Sequence, residues 1–324
     1  MAQKRKIAVI GAGTMGAGIA IQYAMHGYPV SLYSRSESTL LRAEKTAQAC
    51  RLLLEAEELA APEGSNALER NIRYTTDLMQ AVDGAWYVVE TIVEQLQAKQ
   101  DLYQQLDELL PPEVIIASNT SFMDIFQFLP QRRQPFGIIA HWFAPAHILP
   151  LVEVVKGPET AAAVVDRVME LHRECGKKPV YMDRYVPGFI VNRLQTVMTR
   201  EVLYLLENGY CSAEAIDTAV KTSLMPRGML LGLVQRMDFT GIDMVANGLR
   251  NKNCPPAPYP GEDCCLFSMV AEGKLGVKSG NGFYDYSDKE YEEVLYRRDL
   301  QLLKSVRLAE ELMASPLHKT DDQC

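Results

Sequence analysis

The sequence contains no apolar run of the roughly 18 to 20 residues that a membrane-spanning helix requires. Its N-terminal segment, MAQKRKIAVIGAG, passes directly from basic residues into a predicted strand, without the apolar h-region of a signal peptide. We therefore expect a cytoplasmic protein that has no membrane partner.

An excess of basic charge is also missing. The chain has 33 Lys and Arg against 41 Asp and Glu, which gives a net charge of -8. A protein whose main partner is nucleic acid presents a basic face, whereas the basic residues here are outnumbered and scattered. We therefore exclude nucleic acid and expect a small-molecule substrate. With 324 residues, 48% of them hydrophobic, the chain is typical of a globular protein with two domains.

The seven cysteines lack the spacing of a disulfide framework or a metal site. Their number is odd, and no CxxC or Cys/His ligand pattern is present, so we expect no structural or catalytic metal. Cys264 and Cys265 are adjacent and follow a Pro-rich loop, where they form either a reactive pair or, as free cysteines usually do, part of the packing.

The first part of the chain alternates short β-rich runs with longer helical patterns, which is typical of a mostly parallel sheet with helices on both faces. The predicted strands cover residues 6–10, 30–33, 85–90, 113–118, 136–142, 150–155 and 178–183. Apolar residues at helical spacing, such as Met15, Ile19 and Tyr23, predict helices between them, and residues 36–66 form a charged segment that we expect to be mostly helical. The sequence thus predicts an α/β, Rossmann-type N-terminal domain.

The alternation stops at the Tyr-Val-Pro-Gly step that ends at Gly188. Beyond it, FIVNRLQTVMTREVLYLLENG predicts a long amphipathic helix that ends at Gly209, and Ser212 is placed to cap the next helix. We therefore expect a dinucleotide-binding domain over residues 1–186 and an all-helical C-terminal domain, for substrate and dimer contacts, over residues 187–324.

A glycine-rich loop, GAGTMG, directly follows the first predicted strand and opens a helix. In this strand-loop-helix context the GxGxxG pattern indicates a dinucleotide site, because the glycines allow a tight turn that brings a pyrophosphate to the positive end of the helix. The candidate cofactor-binding residues in the loop are Gly11, Gly13, Thr14, Met15 and Gly16.

The end of the second strand departs from the usual NAD pattern. An acidic residue normally accepts a hydrogen bond from the ribose 2'-hydroxyl there, but this chain has Ser34, followed by Arg35. An arginine flanked by hydroxyl groups suits the 2'-phosphate of NADP. We therefore expect NAD(P) with a preference for NADP. The alternative is that Ser34 only caps the following helix and NAD binds.

His141 and Glu153 form a candidate acid/base pair. A cofactor that moves hydride leaves the protein to manage the proton on the substrate oxygen, a role that suits histidine with a carboxylate on its second nitrogen. His141 lies near the end of one predicted strand and Glu153 in the next, and Pro145 and Pro150 indicate a turn between them. In the alternatives, Glu153 faces solvent from an edge strand and His141 bonds only to backbone. His147 falls in the turn, and we assign it no chemistry.

Six ordered motifs together resemble the 3-hydroxyacyl-CoA dehydrogenase family. They are GAGTMGAGIA, VVETIVEQLQAK, ASNTS, the His141 to Glu153 spacing, VPGFIVNRL and GVKSGNGFYDY. The resemblance covers nearly the whole chain and implies a Rossmann-type domain, a helical second domain that forms a homodimer interface, and an NAD(P)-dependent dehydrogenase that acts on the CH-OH group.

The resemblance also implies roles for single residues. His141 would be the general base for alcohol oxidation and Glu153 its orienting partner. Ser121 and Asn192 would hydrogen-bond the substrate and the surroundings of the histidine, although Ser121 alone would read as a helix N-cap. The implied cofactor contacts are Glu94, Lys99 and Lys278, of which the two lysines alone would read as solvated charges.

Two departures from the family leave the substrate open. Ala144 replaces an asparagine that typically contacts the nicotinamide end of the cofactor, and Glu55, Glu57 and Glu58 lie where enzymes of acyl-CoA carry basic residues. Besides a 3-hydroxyacyl compound, the sequence is therefore compatible with a small free hydroxy acid, as in the branch that contains gulonate dehydrogenase and lambda-crystallin. A non-catalytic, crystallin-like protein is the alternative from another class.

Overall fold

The protein is described by a computed structural model that covers residues 4–56, 66–252, 254–315 and 317. The chain divides into two compact units, Met1–Arg193 and Leu194–Cys324. None of the described helices combines the length and the apolar composition needed to cross a bilayer.

An eight-stranded sheet forms the centre of the first unit. Its strands run in the spatial order β3-β2-β1-β4-β5-β6-β7-β8, and every neighbouring pair is parallel except the antiparallel β6–β7 pair. The strands are β1 Ile7–Ile10, β2 Val30–Tyr33, β3 Ile72–Thr75, β4 Tyr87–Glu90, β5 Ile115–Ser118, β6 Gly137–Trp142, β7 Leu151–Lys156 and β8 Lys178–Met182.

Helices cover both faces of this sheet. They are α1 Thr14–Met25, α2 Glu37–Ala56, α3 Ala67–Asn71, α4 Leu78–Val82, α5 Leu96–Leu109 and α6 Ala162–Glu174. Successive side chains of a strand point to opposite faces, so Ile7 and Val9 join the apolar cluster that contains α1 and α6, whereas Ala8 and Ile10 join the cluster that contains α4 and α5. Both faces of the sheet are buried under helices, which explains why the central strands are continuous apolar runs and do not alternate between apolar and polar residues.

The Rossmann-type architecture predicted from the sequence is confirmed, and each of the seven predicted strands is present. The four-residue strand β3 is not among the predicted strands. The charged segment 36–66, predicted as mostly helical, forms α2 up to Ala56, and its residues 57–65, including Glu57 and Glu58, lie outside the described residues. The next helix, α3, begins at Ala67, directly after the segment.

The described part of the second unit is helical. The predicted long helix is α7 Val191–Glu207, which starts in the first unit; it is followed by Gly209, whose φ of 66° ends it. Ser212 caps the next helix as predicted, with Oγ accepting from the amide of Ala215 at 3.2 Å. The later helices are α8 Ala213–Ala219, α9 Met225–Thr240, α10 Ile242–Asn251, α11 Cys265–Ala271 and α12 Tyr291–Met313.

Candidate active site

The glycine-rich loop between β1 and α1 has room only for glycine at two positions. Gly11 has a φ of 112°, and a Cβ there would lie 2.7 Å from the carbonyl oxygen of Thr91. A Cβ at Gly16 would lie 1.7 Å from the carbonyl oxygen of Gly11. The Oγ1 of Thr91 donates to that same carbonyl at 2.7 Å, so the loop is held against the end of β4. The glycines therefore permit the tight turn that the motif predicts.

The outer side of this loop fits a dinucleotide. A Cβ at Gly13 would have nothing within 4 Å, so open space lies beside the residue that precedes α1. No side chain caps the N-terminus of α1, which leaves the amides of its first turn, from Thr14 and Met15 onward, for a ligand. Open space at a helix N-terminus with free amides is what a pyrophosphate needs, so the residues present fit a nicotinamide dinucleotide.

Ser34 and Arg35 follow β2 on the same edge of the sheet. Ser34 Oγ accepts from the amide of Ser36 at 3.3 Å, so Ser34 shapes the turn before α2 and does not cap the helix itself. Arg35 is exposed, and its guanidinium has no hydrogen-bond or ion-pair partner among the described residues. The described part of the structure therefore leaves the charge of Arg35 uncompensated at the end of β2.

His141 and Glu153 are directly opposite each other in the antiparallel β6–β7 pair. The Nδ1 atom of His141 lies 2.8 Å from Oε2 of Glu153, and the two residues are 3% and 0% exposed. The solvent-facing alternative for Glu153 is therefore excluded. Because a carboxylate only accepts, Nδ1 carries the hydrogen and Nε2 is left as the basic atom.

The second oxygen of Glu153 is held by the start of α7. Oε1 accepts from the amides of Ile190 and Val191 at 3.0 and 2.9 Å. The N-terminus of a 17-residue helix carries partial positive charge, which suits a carboxyl group that accepts two of its first amides in a buried place. Asn192 is the next residue along and is half-buried, so the structure brings the start of α7 to the acid/base pair.

Aromatic rings enclose His141. The ring of Phe143 lies 4.6 Å and that of Phe189 5.2 Å from the imidazole, measured between centroids. Phe189 has a φ of 49° and follows Gly188 at 76°, a left-handed pair that turns the chain sharply before α7. Phe189 is not among the residues predicted for the site, although the Pro-Gly step before it indicates an unusual turn.

Ser121 completes the other side of the histidine. Its Oγ lies 3.3 Å from Nε2 of His141. The loop that carries it is fixed by Glu94, whose Oε1 accepts from the hydroxyl of Thr120 and from the amides of Ser121 and Phe122 at 3.0 and 3.1 Å. Although burial raises it, the hydrogen bond from Thr120 and the charge of Lys99 hold the pKa of Glu94 below its ordinary value. Glu94 therefore acts as an ionised anchor for the Ser121 loop.

Lys99 is not a solvated charge. It is 1% exposed, and its Nζ lies 2.7 Å from Oε1 of Glu90 and 3.3 Å from Oε2 of Glu94. Glu90, fully buried, also accepts from the hydroxyls of Tyr103 and Ser118 at 2.8 and 2.6 Å. The lysine thus joins the end of β4 to the loop that carries the serine beside His141.

Asn119 is a further residue of the site that was not predicted from the sequence. Its Oδ1 accepts from the amide of Trp142 at 2.8 Å, one residue beyond His141. This bond continues the β5–β6 contact past the last ladder pair and holds the strand end that presents the histidine. The signal was its place in the ASNTS motif.

The remaining predicted residues lie in the loop between β6 and β7 or in the second unit. Ala144 is exposed and His147 half-buried in the 143–150 loop between β6 and β7, and Lys278 is exposed in the second unit. Cys264 is buried and Cys265 half-buried, with their sulfur atoms and a carboxylate oxygen of Glu207 within 4.8 Å of one another. Burial raises the pKa of Cys265 to about 11, so its thiol stays protonated and unreactive at neutral pH.

Comparison with known proteins identifies matching families in both halves of the chain. The family described as "3-hydroxyacyl-CoA dehydrogenase, NAD binding domain" matches residues 6–185, and "3-hydroxyacyl-CoA dehydrogenase, C-terminal domain" matches residues 188–286.

Three relatives illustrate the range of the similarity. The 5-formyl-3-hydroxy-2-methylpyridine 4-carboxylate 5-dehydrogenase of Mesorhizobium japonicum is 30% identical over 94% of this chain and 98% of its own. Human mitochondrial hydroxyacyl-coenzyme A dehydrogenase is 34% identical over 87% and 91%. A crystal structure of a dehydrogenase with the first of these names, described as an NAD+ dependent dismutase, superposes with a TM-score of 0.85 at 29% identity, over 95% of this chain and 99% of that one.

Proposed function

The chain belongs to the 3-hydroxyacyl-CoA dehydrogenase family, and we propose that it is an NAD(P)-dependent dehydrogenase in which His141 is the general acid/base for the hydroxyl of a 3-hydroxyacyl compound. The observation that carries this proposal is the buried His141–Glu153 pair, in which Nε2 of His141 lies 3.3 Å from the hydroxyl of Ser121. An enzyme of this family needs a base of this kind where the substrate hydroxyl binds.

In the direction of oxidation, Nε2 of His141 accepts the proton of the substrate hydroxyl. A nicotinamide cofactor held at the glycine-rich loop would supply the acceptor for the hydride that leaves the carbinol carbon. The charge that develops on the imidazole is stabilised by Glu153, which the amides at the start of α7 keep oriented. In the reverse direction His141 returns the proton to the carbonyl oxygen.

Ser121 and Asn192 orient the substrate in this proposal. The hydroxyl of Ser121 lies at hydrogen-bond distance from Nε2, so it can turn from the histidine to the reacting oxygen as the proton moves. Asn192 directly follows Val191, whose backbone amide donates to Glu153. This position supports a role for the side-chain amide of Asn192 near the reacting oxygen of the substrate.

Residues 6–185 match an NAD-binding domain. We propose that the cofactor binds at the loop of Gly11, Gly13 and Gly16, and that the free guanidinium of Arg35 lets the site accept NADP. Glu94 and Lys278 stay candidate cofactor contacts. Lys99 is enclosed between Glu90 and Glu94, so we propose that it acts on the cofactor through Glu94.

A second candidate substrate class is a small free hydroxy acid without CoA. The similarity to an enzyme named for a free pyridine carboxylate extends over nearly all of both chains, which supports this class.

The family resemblance also predicts a homodimer. Helices α8 to α12 contain no buried residue in the isolated chain, although they carry large apolar side chains such as Phe239, Ile242 and Leu249. Exposed apolar surface of this kind is typical of an interface, which supports a second copy of the chain as the partner. The division into a dinucleotide-binding domain, 1–186, and a substrate and dimer domain, 187–324, and the cytoplasmic location stay predictions.

Two measurements test this function. Fluorescence titration with NADH and NADPH compares the cofactors, and a Ser34→Asp variant should lose NADPH affinity by about tenfold or more, since the new carboxylate repels the 2'-phosphate.

With the better reduced cofactor, turnover of acetoacetyl-CoA is then compared with turnover of acetoacetate. Reduction of acetoacetyl-CoA supports the first substrate class, reduction of acetoacetate alone supports the second, and tight cofactor binding without turnover of any 3-oxo compound would contradict both.

A further inference from the structure

The 143–150 loop, which joins the strand of His141 to the strand of Glu153, is held by a buried lysine from another part of the sheet. Lys177 directly precedes β8 and is 4% exposed. Its Nζ donates to the carbonyl oxygens of Ala146 and Leu149 at 2.6 and 2.9 Å. One ammonium group thus binds two carbonyl oxygens of the turn that contains His147.

The same ammonium group contacts the strand end beside the candidate base. It lies 5.0 Å from the centroid of the Trp142 ring, and Trp142 follows His141 directly. The loop also rests on the nucleotide-binding helix, since a Cβ at Gly18 would lie 3.1 Å from the Cβ of Ala146. Lys177 therefore links three parts of the site: the strand of the base, the 143–150 loop and, through Ala146, α1.

No carboxylate compensates this buried cation among the described residues. The groups that face it are the carbonyls of the turn, the ring of Trp142, and His172 and Cys175 at the end of α6. An ammonium group is costly to bury, and an apolar residue of similar length would fill the space without that cost. What the lysine adds is a pair of charge-assisted hydrogen bonds that fix the loop.

We propose that Lys177 is a positioning residue of this enzyme, which fixes the 143–150 loop beside His141 and thereby determines how tightly the substrate binds. This inference rests on the proposed function of His141. Phe143 contacts the imidazole, and Ala144 and His147 follow it in the loop, so a displaced loop changes the wall of the site without removing the base.

The charge of Lys177 provides an independent readout. Burial lowers the pKa of Lys177 to about 7, against a smaller opposing effect of Cys175. Its titratable neighbours stay neutral near pH 7, because burial lowers the pKa of His172 to about 4 and raises that of Cys175 to about 12. Loss of the lysine proton should therefore weaken the hold on the loop above neutral pH and change the fluorescence of Trp142.

The test compares Lys177→Met with Lys178→Met, the exposed neighbour, using whichever of acetoacetyl-CoA and acetoacetate the wild-type enzyme reduces. We expect Lys177→Met to raise KM for this substrate about tenfold or more, with NADH affinity and kcat changed less than about threefold, because two charge-assisted hydrogen bonds to the loop are lost. Lys178→Met should match the wild type. An unchanged KM in Lys177→Met would overturn the inference, whereas absent turnover in the wild type would instead contradict the proposed function.

A second measurement needs no change at Lys177, in case that variant does not fold. In a Trp86→Phe enzyme, Trp142 is the remaining tryptophan, and its emission and the substrate KM are followed from about pH 6 to pH 9. We expect both to change with one midpoint near the lysine pKa. A KM that stays constant across this range while the emission titrates would overturn the inference.

Discussion

Nδ1 of His141 lies 2.8 Å from Oε2 of Glu153 across the antiparallel β6–β7 pair, where the two residues are register partners. The antiparallel pairing makes this contact possible, because the chain turns back between β6 and β7 and places Glu153, twelve residues later, opposite the histidine. The carboxylate has a second function, because its other oxygen receives the first amides of α7. One buried glutamate thus orients the base and fixes a helix start.

Glu153→Gln should lower kcat by about two orders of magnitude or more, because the neutral amide no longer stabilises the imidazolium and permits the wrong tautomer of His141. Cofactor affinity should be unchanged, since the dinucleotide loop lies at β1. Steady-state kinetics and NADH titration on the same preparation check this. A variant with wild-type kcat would show that the pair is only structural.

Gly13→Ala should separate cofactor binding from stability. A methyl group at Gly13 meets no protein atom within 4 Å, so the fold should tolerate it, but it enters the space that the pyrophosphate needs. We expect NADH affinity to fall about tenfold or more with Tm nearly unchanged. Gly228→Ala, which also meets nothing within 4 Å, is the matched control and should leave both values unchanged.

Lys99→Met should destabilise the protein by about 3 to 5 kcal/mol, because it leaves the buried carboxylate of Glu90 without its counter-ion. Urea denaturation measures the free energy of unfolding. Lys45→Met on the exposed face of α2 is the control and should stay within about 0.5 kcal/mol of the wild type. An equally small effect at Lys99 would mean that the buried pair contributes nothing to folding.

The pH dependence of stability should reveal His172. Burial lowers its pKa from 6.5 to about 4, so the unfolded chain binds a proton at higher pH than the folded chain. The stability that the neutral, buried His172 contributes to the folded state is fully present above pH 6.5. It is lost as pH falls towards 4, and the free energy of unfolding is lower by about 2 kcal/mol at about pH 5. The free energy of unfolding of His172→Gln should fall less between pH 7 and about pH 5 than that of the wild type. An equally steep fall would contradict the assignment.

The sequence predicts the Rossmann-type fold because its strands are continuous apolar runs between helical patterns, and both signals are local. It does not predict β3, since Ile72–Thr75 has only four residues and an arginine inside, which no periodicity distinguishes from a loop. The burial of Lys99 was equally hidden, because its partner Glu90 stands on another element and the pairing exists only after folding.

The candidate site divides in the same way. The acid/base pair could be proposed from the spacing of His141 and Glu153, whereas the hold of Glu94 on the Ser121 loop joins residues 27 apart in the chain. The contact of Phe189 with His141 depends on two left-handed residues, and the Pro-Gly step alone does not specify where the ring is placed.

The central claim, that His141 is the general acid/base, is tested most directly by the kcat of His141→Ala beside that of His147→Ala. His141→Ala should bind NADH like the wild type and lose turnover by about two to four orders of magnitude, while His147→Ala should change mainly the substrate KM. Near-normal turnover in His141→Ala, or an equally large loss of turnover in His147→Ala, would contradict the account.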